Sequence, residues 1–192
     1  MTRDVGASGR MIAVVGPSGV GKDSVMRGLH DAIPHMHLVR RVITRDPELG
    51  GEVYDAVSVP EFRDLAENGA FAVHWQAHGL HYGIPITVKY HLNRGIDCLA
   101  NFSRRALAEA SDIFSHFLVL NITAHPDTLA ARLSMRGRES ETEITQRLME
   151  AEKPLPEGLD VLHLSNDGPL GQTIARATAL LHPAPVNLRT MP

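Results

Sequence analysis

The sequence predicts an α/β protein, a parallel β-sheet covered by helices on both faces. Short apolar, β-branched runs recur along the chain, and segments with helical spacing separate them. The first run, residues 11–15, leads directly into the glycine-rich GPSGVGKDS of residues 16–24, and a helical pattern follows. No apolar run approaches the roughly 20 residues of a membrane span.

The elements follow in order. MIAVV (11–15) reads as a buried strand. Residues 22–33 place Val25, Met26, Leu29 and Ile33 on one helical face, and Pro34 ends that helix. HLVRRVITR (37–45) reads as one extended, part-exposed strand, and DPELGG (46–51) as a turn-rich loop. In SVPEFRDLAENG (58–69), Ser58 can cap a helix whose first turn holds Pro60 and Glu61. AFAVHWQAHGLHYGI (70–84) reads as two strands around Gly79, with Phe71 and Trp75 in their core, and residues 85–93 as a helix. IDCLANF (96–102), with a buried Cys98, and FLVLNIT (117–123) are strands with a helix over 103–112 between them. HPDTLAARLSMRGRES (125–140) is a helix entering an arginine-rich loop, and ETEITQRLMEAE (141–152) a charged helix. DVLHLSN (160–166) is the last strand and 169–181 the last helix. Residues 1–10 and the Pro-rich 183–192 are expected to be disordered, leaving one domain over 11–182.

Composition narrows the function classes. The 192 residues are 43% hydrophobic and 21% charged, as in soluble globular domains, and the net charge of −3 offers no basic field for nucleic acid. Lys22, Lys89 and Lys153 are the only lysines. The other cations are arginines, whose planar fork suits phosphate oxygens. A single cysteine excludes an internal disulfide and fits a reducing cytoplasm, and MTRDVGASGR lacks a signal core. The histidine pairs His35/His37 and His78/His81 lack zinc-site spacing and read as surface or substrate-contact groups.

The chemistry starts at Gly16, Gly21 and Lys22, which satisfy G-x-x-x-x-G-K between a strand and a helix. Gly16, Pro17, Ser18, Gly19, Val20, Gly21, Lys22, Asp23 and Ser24 are therefore the expected ATP-binding segment. Its amides from Ser18 to Lys22 can converge on phosphate, and Lys22 can reach the β- and γ-phosphates. Asp23 stands where such loops carry Ser or Thr. A carboxylate beside a triphosphate is repelled unless Mg²⁺ lies between them. Asp23 is thus the expected Mg²⁺ ligand, directly or through water. The alternative is that Asp23 only caps or charges the helix start and Ser24 reaches the metal.

GPSGVGK, ITRD (43–46), GGE (50–52), HYG (81–83), RLSMRGRES (132–140) and ND (166–167) follow the order found in guanylate kinases, and the resemblance covers about residues 11–181. It implies a phosphate-loop NTPase core, an inserted substrate domain near 40–84 and a lid near 133–147. Three departures stand out. Glu48 replaces the second arginine of the substrate loop, His74 replaces the guanine-binding acid before Trp75, and CLANFSRR (98–105) replaces an acidic strand end. A site that loses its base-reading groups loses its base discrimination. With GKDS, HGLHYG (78–83) and RGRE (136–139), the chain resembles the ribose 1,5-bisphosphate phosphokinases of phosphonate breakdown. That resemblance implies ATP- and Mg²⁺-dependent conversion of ribose 1,5-bisphosphate to 5-phosphoribosyl 1-diphosphate. A monomer and a homodimer both stay open as the expected assembly.

The same resemblance assigns roles to arginines. Arg136, Arg138 and Arg147 are the expected catalytic cations beside Lys22, and Arg132, one helical turn before Arg136, the expected ATP contact. Arg41 and Arg45, alternating along one strand, would hold acceptor phosphates with Tyr82. Asn101, Ser103 and Arg104, at a strand end, would meet the sugar. Asn166 and Asp167 border the adenine pocket or simply form a turn. The rival functions are a guanylate-type nucleoside-monophosphate kinase and an inactive interaction module of the same fold.

Overall fold

The computed structural model of the protein describes residues 8–46, 52–136 and 154–182. Strand β1 (Met11–Val15) is the centre of a five-stranded sheet in the order β2-β7-β1-β8-β9, every neighbouring pair parallel. Its partners are β2 (His37–Leu38), β7 (Cys98–Asn101), β8 (Phe117–Thr123) and β9 (Val161–Ser165). All five residues of β1 are buried. Met11, Ala13 and Val15 enter one apolar cluster, Ile12 and Val14 the other. A strand covered on both faces needs apolar side chains at both parities, so MIAVV shows no alternation.

One face is covered by α1 (Lys22–Ala32), α5 (Pro126–Arg136) and α6 (Leu170–Leu181), through Val25, Leu29, Leu129, Ala177 and Leu181. Helices α1 and α6 approach closely: a Cβ on Gly28 would lie 2.1 Å from Cδ1 of Ile174. The other face is covered by α3 (Val88–Leu92), α4 (Leu107–Ile113) and a second sheet. That sheet has the order β4-β3-β6-β5, from β3 (Val42–Ile43), β4 (Asp55–Ala56), β5 (Phe71–Ala77) and β6 (Leu80–Pro85). His78 and Gly79, with φ of 51° and 75°, form the two-residue turn between β5 and β6, where a left-handed pair matches the strand twist. Helix α2 (Val59–Glu67) starts with the capping box read from the sequence. The Ser58 amide donates to Glu61 Oε2 at 2.7 Å, and the Glu61 amide donates to Ser58 Oγ at 3.4 Å. Phe71 stacks on Phe62 of α2 with centroids 4.7 Å apart.

Three sequence expectations are corrected, and one strand is unforeseen. Residues 37–45 are not one strand: β2 pairs with β7 and β3 with β4 and β6. The chain changes sheets between them, the Val39 amide donating to Leu99 and the Arg41 carbonyl accepting from Asp55. The helix placed over 103–112 opens with a separate 3-10 turn, Arg104–Ala106. Ser8–Arg10 are not frayed. The Gly9 amide donates to the Leu92 carbonyl at 2.8 Å, and Arg10 forks onto Asp97. Strand β4 has no forecast in the sequence, because a two-residue exposed strand carries no periodicity. Most of the expected lid, the charged helix at 141–152 and the tail lie outside the described residues.

Candidate active site

Residues 16–21 turn from the end of β1 into α1, at the carboxyl edge of the sheet, where open parallel sheets bind ligands. Gly16 passes so close to β8 that a Cβ there would lie 2.4 Å from the Ile122 carbonyl oxygen. Gly21 is left-handed, φ 91°, and offers α1 no side-chain cap. Lys22 folds over the loop: its Nζ donates to the Gly16 carbonyl at 2.9 Å and the Pro17 carbonyl at 3.1 Å. Asp23 lies part-exposed in the first turn of α1, where its charge complements the helix dipole, and Ser24 is exposed beside it.

The loop is held from outside by two side chains. Asn166 Nδ2 donates to the Val20 carbonyl at 2.7 Å, and Arg132 Nη1 points at the same oxygen from 3.4 Å. Arg132 reaches it because α5 is anchored by buried Leu129 and Leu133. The Asn166 side chain also accepts from the Thr173 hydroxyl at 2.8 Å. Asp167 closes the adjoining turn. Hydrogen bonds from the Ser165 hydroxyl and the His125 amide hold its carboxyl below the ordinary carboxylate range.

A second group lies beside the first, since Asn101 pairs in register with Val14 and the Phe102 amide donates to the Val14 carbonyl. Arg41, 6% exposed, forks onto Glu52, with Nε at 2.8 Å and Nη2 at 2.5 Å. Asn101 Nδ2 donates to the same carboxylate at 3.2 Å. The Arg41 guanidinium lies 5.0 Å from the Tyr82 ring centre and 5.9 Å from that of Trp75. Trp75 stacks on Tyr82 and on Phe102, and its Nε1–H donates to Ser103 Oγ at 2.8 Å. Arg45 packs over Tyr54 at 4.5 Å, its Nε donating to the Tyr54 hydroxyl at 3.1 Å. Burial raises the Tyr82 hydroxyl pKa against the opposing pull of Arg41 and Arg45. Burial lowers that of the Arg104 guanidinium.

The structure therefore gathers Lys22 and Arg132 at the loop, and Arg41, Arg45, Tyr82, Asn101 and Ser103 in one neighbouring network. Arg41 and Arg45 flank β3 rather than alternating along it. Trp75 joins the second sheet to the end of β7, besides serving its core. Arg136 ends α5. Arg138 and Arg147 lie outside the described residues. Sequence reasoning missed Tyr54 and Thr173 and gave Glu52 no role. GGE marked Glu52 only as part of an ordered motif set, and nothing local distinguishes Thr173 from any polar helix residue.

Loop, lysine and sheet edge together define a phosphate-loop kinase. Residues 8–168 match the guanylate kinase family model. The crystal structure of guanylate kinase from Anaplasma phagocytophilum superposes with a TM-score of 0.70 at 19% identity, covering 91% of this chain and 85% of that one. Ribose 1,5-bisphosphate phosphokinase PhnN of Ruegeria sp. (strain TM1040) is 49% identical over 91% of this chain and 93% of its own length. The enzyme of the same name from Agrobacterium fabrum is 48% identical over 85% of this chain and 93% of its own. The chain belongs to the ribose 1,5-bisphosphate phosphokinase family, within the guanylate kinase group.

Proposed function

We propose that the protein transfers the γ-phosphoryl group of ATP to the 1-phosphate of ribose 1,5-bisphosphate. The bond from the γ-phosphorus to the β,γ-bridging oxygen breaks, and one forms to an oxygen of the acceptor phosphate. ADP leaves, and 5-phosphoribosyl 1-diphosphate remains. The acceptor is already anionic, so catalysis rests on positioning and charge neutralisation rather than on a strong base.

The observation that carries the choice of acceptor is the end of β7. Asn101 and Ser103 carry neutral side chains there, one committed to Glu52 and the other to Trp75. Neither supplies the carboxylate that a guanine edge needs. Lys22 would neutralise the β- and γ-phosphates, and Arg132 stands at the loop to support them. Arg45, Tyr54 and Tyr82 line the acceptor side, and Arg136, Arg138 and Arg147 are the further cations assigned to the transferred group. Arg41, bonded to Glu52, shapes the acceptor side instead of gripping phosphate with its fork.

The donor set at the start of α1 fits Mg²⁺: Asp23 and Ser24 offer hard oxygen ligands directly after Lys22. Bound there, Mg²⁺ would screen the carboxylate from the triphosphate and polarise the transferring phosphoryl group. The buried Cys98 thiol, which burial pushes up to about 12, has no disulfide or nucleophilic part to play. We place the enzyme in the cytoplasm, in phosphonate breakdown. Among the described residues no helix is long and apolar enough to cross a membrane.

An ATP-consumption assay with Mg²⁺, offering ribose 1,5-bisphosphate and GMP separately, tests the reading. Turnover with the sugar bisphosphate alone is the expected result. Turnover with GMP alone would make the protein a divergent guanylate kinase.

A further inference from the structure

We infer that Asn166 and Thr173 are positioning residues for the phosphate loop, acting through the peptide bond between Val20 and Gly21. The inference rests on the ATP-binding reading above and extends it to the far side of the loop. Asn166 is 4% exposed and Thr173 3% exposed, so neither is a surface group meeting solvent. Every polar atom of the Asn166 side chain is committed: Oδ1 accepts from the Thr173 hydroxyl, and Nδ2 donates to the Val20 carbonyl. Its backbone amide donates to the Thr123 carbonyl at 2.8 Å, which ties the residue to the end of β8.

The consequence follows from amide geometry. In a planar trans peptide the C=O of one residue and the N–H of the next point in opposite directions. Fixing the Val20 carbonyl against Asn166 therefore aims the Gly21 N–H away from Asn166, to the concave side of the loop. An N–H held in that direction is a donor preset for a phosphate oxygen, and it needs no reorganisation on binding. Thr173 completes the device. Its hydroxyl proton marks which end of the Asn166 amide is the oxygen, so the NH₂ end faces Val20. The arrangement also accounts for glycine at 21. A Cβ there would lie 2.8 Å from Asn166 Nδ2, pushing the brace away from the loop.

A brace on the phosphate loop and a contact to the adenine ring predict different binding data. Kd values for ADP with Mg²⁺ and for AMP are measured by calorimetry on the full chain and on Asn166→Ala, Thr173→Val and Thr173→Ser, each shown by its melting curve to be folded at the assay temperature. A brace weakens ADP by about tenfold in Asn166→Ala, the loss of one hydrogen bond to a charged group, and leaves AMP within about twofold. Thr173→Val shows the same selectivity in smaller measure, and Thr173→Ser restores ADP binding. Equal losses for ADP and AMP would make Asn166 a base contact and overturn the inference. Unchanged ADP affinity in Asn166→Ala, or in Thr173→Val should Asn166→Ala not fold, would also overturn it. A wild-type chain that binds no ADP would remove the nucleotide reading itself.

Discussion

The indole Nε1–H of Trp75 donates to Ser103 Oγ at 2.8 Å, so a strand of the second sheet is hydrogen-bonded to a residue two positions past the end of β7 of the first. Trp75 is 8% exposed and Ser103 part-buried, so removing the hydroxyl takes a partner from a largely buried indole. Ser103→Ala should cost about 1–3 kcal/mol, the usual penalty for a stranded buried donor. Denaturant unfolding measures it. The KM for the acceptor should rise as well, because the hydroxyl also sets where the second sheet stands relative to the loop.

Lys22→Ala should lower kcat by roughly two to three orders of magnitude, the scale for losing one preorganised charge-stabilising group. The bonds from Nζ to the Gly16 and Pro17 carbonyls are ones that water can replace at this part-exposed residue, so stability should change by about 1 kcal/mol or less. Single-turnover kinetics with a melting curve separate the two effects. Activity near wild type would remove the phosphate-loop argument.

Asn101→Asp tests the network around Glu52. The new carboxylate would stand about where Asn101 Nδ2 now meets Glu52 Oε2 at 3.2 Å, with Arg41 already engaged. Two carboxylates at that range repel, which favours taking up a proton on the pair. A raised carboxyl pKa destabilises the fold at neutral pH, and stability returns as pH falls through the raised value. A pH series of unfolding free energies should show the variant closing on wild type toward acid. A constant gap would mean that the two groups move apart.

Asp97 behaves in the opposite sense. Burial alone would raise its carboxyl, but the Arg10 side chain and amide donate to it and the Arg10 charge faces it, so its pKa is held below the ordinary value. A depressed carboxyl stabilises the fold above its unfolded pKa, near 4, and loses that contribution as pH falls through the folded value. The gap between wild type and Asp97→Asn should be full at neutral pH and shrink below the unfolded value. A gap that widened in acid would reject the pairing.

The readable parts of the sequence are those set by neighbours in the chain. MIAVV is marked by its own unbroken apolar run, the glycine loop by its spacing and the Ser58–Glu61 box by a contact three residues long, and the strand, the turn into α1 and the capping box are all present. The fate of Arg41 is different. Its partner Glu52 lies 11 residues away, past a turn-rich stretch, and only the second sheet brings them together. The Asn166–Val20 bond spans 146 residues and leaves no local trace. The positions of Arg41, Asn101 and Ser103 were legible, but their commitments to Glu52 and Trp75 were not. Such commitments are tertiary facts, fixed by which strands become neighbours.

The central strand has a consequence for synthesis. β1 is made early, yet its two sheet neighbours are β7 and β8, which the ribosome delivers only once residues 98–123 have been added. Until then MIAVV has no partner to hydrogen-bond, and its apolar side chains stay exposed on the nascent chain. Non-local pairing of this kind slows folding. The loop that follows β1 waits longer still, because Asn166 is translated 146 residues after Val20 and Thr173 later again. The glycine loop is thus encoded well before the side chains that hold it. A ribosome stalled where β8 has left the exit tunnel but Asn166 has not should carry a chain with β1, β7 and β8 paired but little grip on ADP.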